Sequence, residues 1–190
     1  MKELLVLSLA LLIMAGCNSN IKQANTAIFL RNDLDLSHIS RVAVLPFDYL
    51  TGGEANAKRV REICIAELLA SGRFAVVDRE KIDTTLRELA INSKIPLDKS
   101  ALNIVAKKLE VNGFLSGTVN KIEGRGWGPA PYPEISLTLH LIDAETARVV
   151  WRSTAYRNAY SDSRGLNRDR KNKLAVTRQL LRDMIVSIPE

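Results

Sequence analysis

The chain has 190 residues, 46% hydrophobic, 25% charged and 5% aromatic, which excludes a disordered, collagenous or coiled-coil protein and suits one domain with an appendage. Lysine plus arginine against aspartate plus glutamate gives 27 − 21 = +6. Two cysteines and two histidines are too few for a zinc cluster or a disulfide-stapled mini-protein.

Met1-Lys2-Glu3 opens the chain, and residues 4–14 form an apolar run whose only polar member is Ser8. At about 1.5 Å per residue the run is too short for a ~30 Å hydrocarbon core, but it fits the h-region of a secretory signal. Ala15-Gly16-Cys17 follows and resembles the lipobox of bacterial lipoproteins, with Met14 where that motif prefers Leu. The resemblance implies a signal peptide over residues 1–16 and acylation of Cys17; an ordinary secretory signal with a chance cysteine is the alternative. Each buried CH₂ contributes about 0.8 kcal/mol and one chain holds only marginally, so the three chains of a bacterial lipoprotein would make attachment effectively permanent. Asn18, in place of the Asp that retains enteric lipoproteins in the inner membrane, points to the outer membrane. Cys64 is then the one thiol left in the mature chain, and Val60, Ile63, Ile65 and Leu68 around it predict a buried structural cysteine.

The polar stretch 18–27 reads as a tether, so residues 17–28 are assigned to the acylated cysteine and its linker and residues 29–190 to a single periplasmic domain. Residues 29–36 are more apolar and are expected to lie against that domain. Residues 41–47 (RVAVLPF) predict a buried first strand closed by Pro46, and Gly52-Gly53 a loop. A helix is expected over 55–71, with Ala57, Val60, Cys64 and Leu68 along one side and Gly72 just past its end. Residues 74–77 form a second strand, Asp78 caps a helix from Arg79 to about Asn92, and Ser100 precedes a short helix ending near Leu109. Residues 114–122 make a third strand. Ile135, Leu137, Leu139 and Leu141 alternate with Glu134, Ser136, Thr138 and His140, which predicts a fourth strand with one buried face. Asp143-Ala144-Glu145-Thr146 turns the chain into a fifth strand over 148–156. A last helix is expected to bury Leu174, Leu181, Met184, Ile185 and Ile188. The predicted fold class is α/β, a sandwich with a mixed five-stranded sheet flanked by helices in the order β-α-β-α-α-β-β-β-α.

No catalytic motif emerges. His38 and His140 stand in no nucleophile signature, and Gly124-Arg125-Gly126-Trp127-Gly128 lacks the Lys-Ser/Thr of a phosphate loop and runs into prolines where a helix would be needed. A non-enzymatic protein without cofactor or metal is expected. Charge is uneven along the chain: residues 17–147 carry 16 basic and 16 acidic side chains, whereas 148–182 carry 10 basic and 2 acidic, a local +8. Such a segment attracts anions; in an exported protein these would be lipid phosphate, cell-wall polymer or an acidic protein surface, not nucleic acid. The plainer reading is a solvated strand edge and helix face.

Residues 33–37 before RVAVLPF, Ser71-Gly72-Arg73-Phe74 leading to Val76-Val77-Asp78-Arg79, residues 114–119 (FLSGTV) and residues 141–146 (LIDAET) stand in an order that resembles the curli-secretion (CsgG-like) lipoproteins. The same motifs resemble the lipoprotein activators of penicillin-binding proteins and the TolB-N-terminal-like domains. Ala147 stands where that family usually has Gly. The resemblance covers about residues 33–156 and implies a periplasmic α/β domain without an active site. Members that form the curli channel carry two long membrane-hairpin insertions. A hairpin needs about 9–11 residues per strand, and the intervals 124–133 and 157–172 are too short or too charged, so the chain is not expected to be a pore by itself. The expected function is therefore an outer-membrane-anchored adaptor in an envelope secretion or curli-like assembly system. Activation of peptidoglycan synthesis through a penicillin-binding protein is the alternative, although even the full stretch 18–27 extends only about 35 Å. A ligand-binding or cell-wall-active envelope protein is the second alternative. Expected partners are the membrane through the N-terminal lipid, an envelope protein and further copies of the chain. Trp127, Tyr132, Arg164, Arg168 and Arg170 are the candidate contact residues; the alternative is that Trp127 folds back to cap its hairpin.

Overall fold

The alternation along residues 135–141 has the consequence a period of two requires. Ile135, Leu137, Leu139 and Leu141 are buried together on one sheet face, while His140 lies on the other and is only partly buried. A computed structural model describes residues 25–30, 36–91, 97–125, 132–158 and 172–189. Its elements are β1 (Asn25–Leu30), β2 (Arg41–Val44), β3 (Asp48–Tyr49), α1 (Gly53–Ser71), β4 (Ala75–Val76), α2 (Arg79–Glu88), α3 (Lys99–Leu109), β5 (Gly113–Arg125), β6 (Tyr132–Asp143), β7 (Val149–Asn158) and α4 (Lys173–Val186).

The class is the expected mixed α/β, but the described sheet has seven strands, not five. Their order is β1-β7-β6-β5-β2-β4, with β3 also beside β5. The β1, β5, β6 and β7 strands form antiparallel pairs, and β2, β3 and β4 add in parallel. The two extra strands have separate causes. Asn25–Leu30 lies within and just after the stretch read as a tether, yet it pairs along its whole length with β7. Beyond Pro46, which cannot donate a ladder hydrogen bond, the chain re-forms pairing as the two-residue β3 where a loop was expected.

The sheet is covered on both faces. Ala57, Val60, Cys64 and Leu68 of α1 and Val176, Leu180, Leu181 and Met184 of α4 pack on Leu115, Leu137, Leu139 and the fully buried Trp151. Ile82 and Leu86 of α2 with Leu102, Val105 and Leu109 of α3 cover Ala43, Leu45 and Phe114 on the opposite face. Leu174 departs from its predicted burial. It is 43% exposed because it shares the outward i, i+4, i+8 row of α4 with Arg178 and Arg182. Those two arginines hold the buried Glu67 of α1, at 3.1 and 3.0 Å.

The caps follow the sequence except at one helix. Asp78 accepts from the Glu80 and Lys81 amides, and Gly72 takes the left-handed conformation (φ 65°) that ends α1. At α3 the cap is Asp98, not Ser100: its carboxylate accepts from the Ala101 amide at 2.7 Å. Gly117 is required for space. A Cβ there would stand 2.6–2.8 Å from three ring carbons of Phe47, which folds over the sheet just after Pro46. Gly117→Ala should therefore cost about 1–3 kcal/mol by overpacking, measured as a fall in the urea midpoint at unchanged m-value.

Candidate interaction surface

Of the predicted site residues, Cys17, Trp127, Arg164, Arg168 and Arg170 lie outside the described residues. Tyr132 begins β6 and pairs with Arg125. The connection read as residues 124–133 is therefore partly strand, since Gly124 also pairs with Pro133. The start of β1, the end of β5, the start of β6 and the end of β7 all lie at one end of the sheet. The chain enters the sheet at that end, with Asn25 eight positions after Cys17, and the same end flanks both sequence intervals that hold the candidate aromatics and arginines.

Sequence reading missed that the edge strand is a surface of its own. Asn25–Leu30 has no charge, no proline and no bulge, the devices that usually guard a sheet edge. Ile28, Phe29 and Leu30 are 52%, 53% and 39% exposed, and no described strand pairs with the outer side of β1. An available signal was the uncharged run NTAIFL itself, rich in β-formers.

A groove of about 520 Å³ lies across the sheet from β1, between β3, α1 and α2. Arg61 forms its inner wall. This buried guanidinium donates to the Val44 carbonyl through Nε (3.0 Å) and Nη2 (2.8 Å) and to Asp83 through Nη1 (2.7 Å). Lys58 pairs with Glu54 and Arg79 with Glu62 at the rim, and Tyr49 and Leu50 stand 40% and 74% exposed beside it. Sequence reading missed Arg61, because a basic residue on a helix normally faces water.

Between these two sides the sheet face beyond α2 and α3 is polar. Asn120 donates to Thr138 at 2.8 Å, Thr138 and Thr154 share a 3.1 Å hydrogen bond, and the Tyr156 hydroxyl donates to the buried Glu134 at 3.0 Å. Burial, then the charge of Arg152, holds the His140 imidazole below its ordinary range, so it is neutral at pH 7. Among the described residues no group of three histidine, cysteine or acidic side chains is placed to hold a metal. Burial first, and the Glu67 carboxylate second, push the Cys64 thiol far up, which leaves it unreactive.

The turn after β6 is tied to the approach to β2. Asp143 accepts from the Thr146 amide and hydroxyl, each at 2.6 Å, and from His38 Nε2 at 2.5 Å. Ala147 holds φ 57°, a left-handed conformation that glycine adopts more readily than alanine. Burial pushes the Asp143 carboxyl up, but the Thr146 and His38 hydrogen bonds outweigh it and hold the group below the usual range. A depressed carboxyl stabilises the fold above its unfolded value of about 3.9, and the contribution is lost as pH falls through the folded value. Asp143→Asn should flatten the acid limb of stability below about pH 4, read from urea unfolding at stepped pH.

No protein-family model matches the sequence, and no curated protein does. Solved structures do match. The PelC dodecamer from Paraburkholderia phytofirmans superposes at TM-score 0.58 and 17% identity, covering 86% of this chain and 95% of that one. Lipoprotein GNA1162 from Neisseria meningitidis gives 0.52 at 13% identity over 64% of this chain and 85% of its own. The Escherichia coli LpoB C-terminal domain gives 0.48 at 18% over 65% and 87%. The chain thus has a fold found in lipoproteins. The curli-secretion and TolB-like branches that the sequence resembles gain no support.

Proposed function

We propose that the protein is a lipid-anchored component of the cell envelope that works by self-association and protein contact, not by catalysis. In this reading Cys17 carries the lipid, the domain hangs at the periplasmic face of the outer membrane, and no cofactor is needed. The observation that carries it is the exposed apolar strand β1 at the sheet edge, which begins eight positions after Cys17. Burying such an edge against protein removes the exposed apolar surface of Ile28, Phe29 and Leu30 from water. The fold shared with PelC, which forms a dodecamer, supports the same reading. No helix among the described residues is long and apolar enough to cross a membrane; the reading assigns attachment to Cys17 on its resemblance to the lipobox.

The test is crosslinking with an amine-reactive reagent in intact envelopes, followed by mass spectrometry of the recovered species. Bands at multiples of the chain mass, with or without an envelope partner, are expected. Recovery of the uncrosslinked chain alone would overturn the reading. A second reading makes the partner a penicillin-binding protein, as the sequence resemblance to those activators implies; a heterologous crosslink to such an enzyme would select it. Curli assembly is not carried forward.

A further inference from the structure

We infer that the outer face of α4 rests on anionic phospholipid headgroups, with Arg178 and Arg182 as a paired clamp for lipid phosphate. The contact rests on the lipid anchor proposed above and adds to it. Acylated Cys17 holds the chain, and α4 fixes which side of the domain faces the bilayer.

The clamp is built from inside the domain. Glu67 of α1 is buried, and its two carboxylate oxygens take the Nε atoms of Arg178 and Arg182 at 3.1 and 3.0 Å. Packing holds that carboxylate in place, so both guanidinium groups are fixed one helical turn apart. Two arginines on one glutamate leave 2 − 1 = +1 at this point of the surface. Both side chains are still more than half exposed, and no other described residue takes their Nη groups. A guanidinium offers phosphate oxygens a planar fork of donors and sheds its water more easily than an ammonium.

The nearby charges leave this excess in place. Asp183, the one acid of α4, is bound by Arg157 at 2.5 Å and accepts from Gln179 at 2.9 Å. Lys173, exposed at the start of the helix, adds a further positive charge.

Apolar residues flank the pair on the same row. Leu174 lies one turn before Arg178 and Val186 one turn after Arg182, and both are exposed. The row covers about 18 Å of helix surface. A basic centre between apolar ends suits a helix lying in the headgroup plane, its arginines on phosphate and its apolar side chains at the acyl boundary. A soluble anion would meet the arginines but leave Leu174 and Val186 in water.

Reach makes the membrane the occupant. Asn25 is eight positions after Cys17, at most about 28 Å at full extension, which keeps an acylated domain beside the bilayer. Two arginines near an anionic surface raise residence on it about 30-fold. That is enough to orient an anchored domain and too little to hold a free one.

A nitroxide at Val186→Cys in the full acylated chain reads the contact, since Cys64 is buried. The chain is placed at low density on vesicles of phosphatidylcholine, alone or with phosphatidylglycerol. On the anionic vesicles the label should lose access to a neutral aqueous nickel chelate and gain access to oxygen. High salt should reverse the change. Arg178→Gln with Arg182→Gln should cut residence about 30-fold and return the label to the access seen on phosphatidylcholine. If that pair unfolds the chain by leaving Glu67 buried and unpaired, adding Glu67→Gln removes the stranded charge, and the label should again return to water. Equal access on both vesicles, or shielding that survives loss of the arginines or high salt, would overturn the clamp. Shielding on both vesicles that grows with protein density would put a second copy on α4 and overturn the lipid contact. A wild-type chain that does not float with phosphatidylcholine would overturn the anchor alone. Arginine-dependent flotation with the anionic vesicles would then support the headgroup contact, and its absence would overturn it.

Discussion

Leu139→Ala should lower the unfolding free energy by about 2–5 kcal/mol, through lost burial and the cavity left behind. Leu139 is fully buried in the cluster that joins the sheet to α1 and α4. It stands between Gly117 and Ser153 in the ladder, so no neighbouring strand supplies bulk to fill the void. His140→Ala, one residue on, should cost less than about 1 kcal/mol, because its ring lies on the partly open face and is already neutral. Urea unfolding followed by far-UV circular dichroism measures both. Equal losses at the two positions would contradict the register of β6.

Cys17→Ala should abolish incorporation of radiolabelled palmitate and release the protein from the membrane fraction. The effect is all-or-none because the anchor is one residue. Each methylene contributes about 0.8 kcal/mol, and three chains sum to an effectively irreversible hold, which no surface contact of the domain replaces. The purified variant should keep the melting temperature of the wild type, since Leu137, Leu139, Trp151 and the helices packed on them carry the core. Labelling that persists in the variant would place the lipid on another residue, and no label in the wild type would remove it; either result would bring down the anchoring at Cys17.

Much of this fold is legible in the sequence because burial imposes a period. Ile135 to Leu141 alternate since one face of β6 is in the core, and Ala57, Val60, Cys64 and Leu68 recur at helical spacing since one side of α1 is buried. The β1 strand has no such imprint. It borders the sheet with three exposed apolar residues on two faces, so no alternation distinguishes it from an apolar linker. β3 is two residues long, below what any periodicity can reveal. Asp98 and Ser100 are both good cap residues, and only the frame of the helix decides between them. Arg61 in the groove wall follows from tertiary contact alone: the carbonyl it satisfies is 17 residues earlier in the chain. The proposed anchor rests on a local motif, whereas the strand edge and the groove exist only once the sheet has been assembled.

Sedimentation velocity of the full acylated chain in mild detergent tests the central claim most directly. The account predicts a single boundary at a multiple of the protein mass of 21.1 kDa less its signal peptide, shifted to the monomer by Ile28→Asp. A wild-type boundary at the monomer mass across all concentrations would contradict it.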